Sequence, residues 1–154
     1  MNRLCWATSL VFASLTAILA YLLVVPGDTR PSSDGRISIV MSGAERDVVL
    51  GEMRAFLGAV QVITRGVVDN DLEGVVEAAR DVGAEAQQAV PASLVTKLPL
   101  EFKKLGFDTH QRFDQLARNA ADLGDTADAL PELAELLQNC TTCHATYRIE
   151  VAEP

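Results

Sequence analysis

Apolar and polar positions divide the chain into three stretches. Met1-Asn2-Arg3 precedes an uncharged, largely apolar run from Leu4 to Val25, 22 residues long. Residues 26–41 are rich in Pro, Gly, Ser and Asp and hold no sustained period, the character of a linker. From Ser42 onward apolar residues recur every three or four positions, the spacing of helices that bury one face.

Four helical segments follow from that spacing. The first opens at Ser42-Gly43-Ala44-Glu45, a capping-box pattern, and carries Val49, Met53, Phe56, Val60, Ile63 and Val67 along one seam. The second begins at the cap-like Asn70-Asp71-Leu72-Glu73 and aligns Leu72, Val75, Val76, Ala79, Val82, Ala86 and Val90 until Pro91 stops it. Residues 91–106 read as a long connection, still apolar at Leu94, Val95, Leu98, Leu100, Phe102 and Leu105. The third helix is expected over about 108–123, with Phe113, Leu116, Ala117, Ala120 and Leu123 inward and Gly124 as C-cap. The fourth starts near Pro131 and runs to about Glu150, with Leu133, Leu136, Leu137, Cys140, Cys143, His144 and Tyr147 on one face. The expected fold is all-α: an antiparallel four-helix bundle behind an N-terminal hydrophobic helix. Its divisions are a membrane-anchor or signal segment at 1–25, a linker at 26–41 and a bundle at 42–154.

The opening run is longer than the apolar region of a cleaved signal and close to the roughly 20 residues of a membrane span. An uncleaved anchor over residues 4–25 is the favoured reading, and cleavage after about Ala20, which leaves a soluble domain, is the alternative. Arg3 and the amino terminus, with no acidic residue nearby, keep the N-terminus cytoplasmic and export the remainder. Residues 28–154 hold all 21 acidic residues and 12 of the 13 basic ones, so nucleic acid is not an expected partner. The three lysines, Lys97, Lys103 and Lys104, fall in one connection. They form either a solvated loop or a patch that steers an acidic redox partner.

The sharpest chemical signal is Cys140-Thr141-Thr142-Cys143-His144. Two thiols three residues apart on one helical turn can add to the two vinyl groups of a single porphyrin, and the adjacent imidazole becomes an axial ligand of the iron. A zinc site needs about four ligands, and only Cys5 and His110 remain outside this cluster among cysteines and histidines. A thioredoxin-type pair would call for a βαβ setting, which the flanking sequence lacks. The implied cofactor is one covalently attached haem c per chain, which agrees with export because such attachment takes place on the outer side of a bacterial membrane. No set of nucleophile, base and orienter is visible, so the chain reads as an electron carrier, not an enzyme.

Cys140-x-x-Cys143-His144-x-x-Tyr147-Arg148 on the last of four helices resembles the cytochrome c-prime family over about residues 42–151. The resemblance implies thioether links at Cys140 and Cys143, His144 as proximal ligand, and Arg148 beside the imidazole or a haem propionate. It also implies a choice on the other side of the iron. Met53 on the first helix is the candidate distal ligand of a low-spin Met/His electron carrier, while an apolar residue there, such as Phe56 or Leu57, would make a five-coordinate protein that binds NO or CO. Met53 is otherwise core filler. His110 reads as a capping or surface histidine, and Arg54 and Arg65 as solvated or propionate-directed. A homodimer through the first two helices enters through the same resemblance. The expected location is periplasmic, at the inner membrane, with redox partner proteins whose identity the sequence does not give.

Overall fold

The computed structural model describes residues 2–24 and 27–152, and for residues 2–5, 22–24 and 89 the backbone alone. Helix α1 spans Asn2–Val24. Two short strands follow, β1 at Thr29–Pro31 and β2 at Ile37–Met41. The rest is α2 (Gly43–Asp69), α3 (Leu72–Asp81), a 3-10 turn at Ala84–Ala89, α4 (Ala92–Lys97), α5 (Leu100–Leu123), α6 (Ala129–Thr146) and a final strand β3 (Tyr147–Val151).

The caps form where the sequence signals them. Ser42 accepts from the Glu45 backbone N–H while the Glu45 carboxylate returns to the Ser42 backbone N–H, closing the capping box at the start of α2. Glu45 also receives Lys97 Nζ at 2.6 Å, which fastens the end of α4 to the first turn of α2. That contact and the capping bonds hold the Glu45 carboxyl down at about 2. Asn70 ends α2 in the left-handed region at φ 54°, a conformation that asparagine tolerates better than most side chains. Asp71 then caps α3 through the Gly74 N–H at 3.0 Å. Gly124 ends α5 at φ 70°.

Helix α2 packs against α3 and α6, α3 against α5, and α5 against α6. Their facing residues make one core that includes Ile63, Val75, Ala79, Phe113, Leu116, Ala120 and Leu136. Val49, Ile63, Val75, Ala79, Phe113 and Leu133 occupy the buried positions their spacing predicts, whereas Leu123 at the end of α5 and Leu137 on the flank of α6 are exposed. A second cluster gathers Ile39 and Met41 of β2, Val49 of α2, Leu94 and Leu98 around α4, and Tyr147 of β3. The chain is therefore mostly helical with two adjoining cores.

Three differences from the sequence reading matter. The all-α expectation is incomplete: β1 and β2 form an antiparallel hairpin, and β2 pairs in parallel with β3, register Ile37↔Tyr147 to Met41↔Val151. The stretch 26–41, read as a linker, thus carries two strands, because Ile37-Ser38-Ile39-Val40-Met41 is a short apolar run whose hydrogen-bonding partner lies at the far end of the chain. Gly35, at φ 85°, turns the hairpin, and Pro31 sits on its edge strand, where no ladder donor is needed. The last helix accordingly stops at Thr146, not near Glu150. Finally, α5 begins at Leu100 because Pro99 serves as its N-cap, so Lys103 and Lys104 are helical. Lys103 is buried, Lys104 pairs with Glu101 at 2.7 Å and Lys97 with Glu45, leaving no open basic patch of three lysines.

The described side chains of α1, from Trp6 to Tyr21, are all exposed. Among the described residues no helix is long and apolar enough to cross a membrane.

His110 is a core residue instead of a surface one, 3% exposed and packed against Phe56 with ring centroids 4.8 Å apart. Its Nδ1 lies 2.8 Å from the Val82 carbonyl and 3.1 Å from that of Gly83, so Nδ1 carries a hydrogen. Its Nε2 faces Glu52 Oε1 at 3.1 Å, an arrangement that requires a proton between them. Burial opposes the charged imidazolium, but the Glu52 carboxylate and the two carbonyls outweigh it and the histidine pKa is raised above 6.5. The stabilisation from this pair is complete below about pH 6.5 and fades as pH rises through the elevated folded value. Chemical denaturation across a pH series should show that loss on the alkaline side in the wild type and a flatter profile in His110→Gln.

A tight approach sets the α2–α3 angle. A Cβ on Gly66 would lie 2.7 Å from Val75 Cγ2 and 3.0 Å from the Asp71 carbonyl. Gly66→Ala should therefore destabilise the fold by about 1–3 kcal/mol, the usual penalty of overpacking, measured by the shift in denaturation midpoint.

Candidate functional site

The Cys140–His144 motif lies on the last two turns of α6, where the two cores meet. Cys140 packs against the core between the four long helices, and Cys143, one turn later, packs against the cluster built on β2 and α4. Both thiols are half-buried and free of any disulfide. Burial raises the Cys140 thiol and, joined by the neighbouring cysteine, pushes Cys143 up to about 11. These are protonated thiols. A thioredoxin-like pair would instead hold a thiolate in electropositive surroundings.

Cys143 opens onto a cleft of about 240 Å³ between α2, the end of α6 and the sheet. Its walls bring together residues that sequence reasoning selected from opposite ends of the domain: Met53 from α2, Cys143 and His144 from α6, and Arg148 from β3. Leu50, Phe102, Tyr147 and Ile149 supply apolar surface, and Phe102 meets Tyr147 edge-on at 5.4 Å. Met53 is half-buried and touches the second core, whereas His144 is exposed, not inward with the leucines as its helical spacing suggests. On the other side of Tyr147 a wider groove of about 790 Å³ runs along α5 and α6, lined by Leu105, Phe107, Thr142 and Thr146 among others.

Two further residues line the cleft that sequence reasoning did not select, Arg36 and Arg46. Arg46 pairs with Asp47 at 2.8 Å and Arg36 with Asp34 at 2.7 Å. Arg148 donates to Ser32 Oγ at 3.1 Å and lies 3.7 Å from Asp34. No motif marks Arg36, because its place depends on the hairpin; Arg46 was recoverable as a neighbour of the capping box. Arg54 and Arg65 lie elsewhere, Arg65 reaching Asp69 at 3.9 Å. Phe56 stacks on Phe113 and Leu57 is exposed, so the cleft's walls do not include either apolar candidate for a distal residue. His110 lines a separate pocket of about 270 Å³ with Glu52 and Phe56.

The donor set can be weighed by its chemistry. Among the described residues no group of three or more His, Cys, Asp and Glu side chains could hold a metal ion directly. The cleft combines one neutral thiol, an accessible imidazole, a thioether, apolar walls and three guanidinium groups, while Cys140, one turn before Cys143, packs against the other core and outside the cleft lining. No protein-family model matches the chain, and neither the curated proteins nor the solved structures contain a match to it.

Proposed function

We propose that this chain is an exported c-type cytochrome that carries single electrons on one covalently attached haem c. Cys140 and Cys143 form the thioether links, His144 is the proximal ligand and Met53 the distal one. The observation that carries the reading is the shared cleft of Met53, Cys143, His144 and Arg148. Haem supplies the one-electron couple when bound; the chain's own residues hold it and tune it. Each thiol would add its sulfur and hydrogen across one vinyl group, giving a thioether with no leaving group, and the apolar wall of Leu50, Phe102 and Ile149 lowers the local polarity. Arg46 and Arg148, which line the cleft, suit the carboxylates of such a group. At about 240 Å³ the cleft is smaller than the roughly 300–1,000 Å³ pockets that enclose whole ligands, so it seats part of a macrocycle and leaves part outside.

The reading includes the antiparallel four-helix bundle of the c-prime type, with the low-spin Met/His branch as the nearer analogue. The three-stranded sheet is an addition to that pattern. It also includes the membrane anchor over residues 4–25 and a periplasmic domain. The uncharged run and the exposed apolar side chains Trp6, Leu10, Phe12, Leu15 and Ile18 support the anchor. A second reading has its own support: Leu50 lines the cleft beside Met53, so a five-coordinate iron with an apolar distal face, binding NO or CO, is available if Met53 turns to the core.

Visible and paramagnetic resonance spectra of the purified full-length protein separate the two. Low-spin iron that turns high-spin in Met53→Ala supports Met/His ligation; a high-spin ferrous wild type assigns the gas-binding role. Cys140→Ala with Cys143→Ala should abolish haem retention through denaturing electrophoresis. The anchor is checked in native cells: the mature protein should retain residues 1–25 and sediment with membranes until detergent is added.

A further inference from the structure

Arg36 stands at the end of the hairpin loop, one residue before β2, and its guanidinium works in two directions. Nε and Nη2 donate to Asp34 Oδ2 at 3.0 and 2.7 Å. Nη1 donates to the His144 carbonyl at 3.3 Å and lies 3.5 Å from the Tyr147 carbonyl. These acceptors belong to the last turn of α6 and the first residue of β3, where helical carbonyls run out of intrahelical donors. A cation is further favoured there by the negative end of the helix. Only a planar fork can serve a carboxylate with one edge and backbone carbonyls with another.

The rest of the hairpin reinforces the grip. Ile37 pairs with Tyr147, and Ser32 receives Arg148. One loop thereby holds the chain from His144 into β3.

We propose that Arg36 is a positioning residue for His144. It fixes the backbone that carries the imidazole, so that the ring keeps one orientation at the cleft. The role rests on the reading of His144 as an axial ligand, and Arg36 acts through the backbone instead of through the iron.

The test compares full-length wild type, Arg36→Gln and Arg30→Gln. Arg30 belongs to the same hairpin and pairs with Glu150 across the sheet, away from the cleft lining, so it controls for general loosening of the strands. Haem staining after denaturing electrophoresis is read first. A wild type without covalent haem removes the axial-ligand reading and the positioning role with it. With haem present, Arg36→Gln should retain it fully, because both cysteines are intact, yet show a second axial-ligation population in its spectra and a shifted reduction potential. Amide hydrogen exchange at residues 145–148 should rise roughly tenfold, the scale of one lost charge-assisted hydrogen bond. Arg30→Gln should speed exchange in β1 and leave the spectra unchanged. A wild-type spectrum and potential in Arg36→Gln, or the same spectral change in Arg30→Gln, would overturn the proposal.

Discussion

The parallel pairing of β2 with β3 is the constraint on which the candidate site depends. It joins segments more than a hundred positions apart, as the Arg36–His144 contact does at a separation of 108. Without it the end of α6 would have no wall opposite α2, and the second core would lose Ile39, Met41 and Tyr147 together. Closing so long a loop costs chain entropy that local helix contacts do not. The burial of that apolar cluster offsets it, with Ile39 fully inaccessible and Met41 nearly so. The cleft is therefore a product of the two ends of the domain meeting, and the helices alone do not make it.

Much of the helical layer was legible because its signals are local. The Ser42–Glu45 capping box, the Asp71 cap, the Gly124 terminus and the seam from Val49 to Ile63 each depend on residues within a turn or two of one another. The Cys140–His144 spacing is local in the same way. The sheet was not: five residues of β2 show no alternation that distinguishes them from a loop with apolar content, and their partner is at the other terminus. The start of α5 was missed as well, since residues 91–106 read as one long connection although Pro99, with its fixed φ, begins a helix there. His110 shows a third kind of blindness. Nothing in its neighbourhood along the chain announces that Glu52, Val82 and Gly83 will enclose it. For the site, Met53, Cys143, His144 and Arg148 came from motif and spacing, while Arg36 needed the fold.

Charge is distributed with a similar logic. In a chain of net charge −8, three arginines line one cleft, each held by a partner or by backbone. Arg36 and Arg148 share Asp34, and Arg46 is paired with Asp47. Pairing fixes these side chains in place and moderates their field, so the cleft is positive only at short range within an acidic surface. The lysines, by contrast, serve the architecture: Lys97 ties α4 to α2 and Lys104 stays on its own helix.

Gly27 and Asp28 lead to a conclusion about reach. Asp28 donates to the Lys97 carbonyl at 3.0 Å and accepts from the Val40 N–H at 2.7 Å, and a side chain on Gly27 would collide with the backbone at Lys97 and Leu98. Only residues 25 and 26 separate Val24 of α1 from this docked point, a chain path of roughly 10 Å at full stretch. If α1 is held in a lipid bilayer, the domain stands on it like a post, without the slack of a tether. On the proposed membrane-anchored reading, an electron acceptor would have to come to that fixed height, and its own shape, instead of the swing of a leash, would decide whether it can be reached.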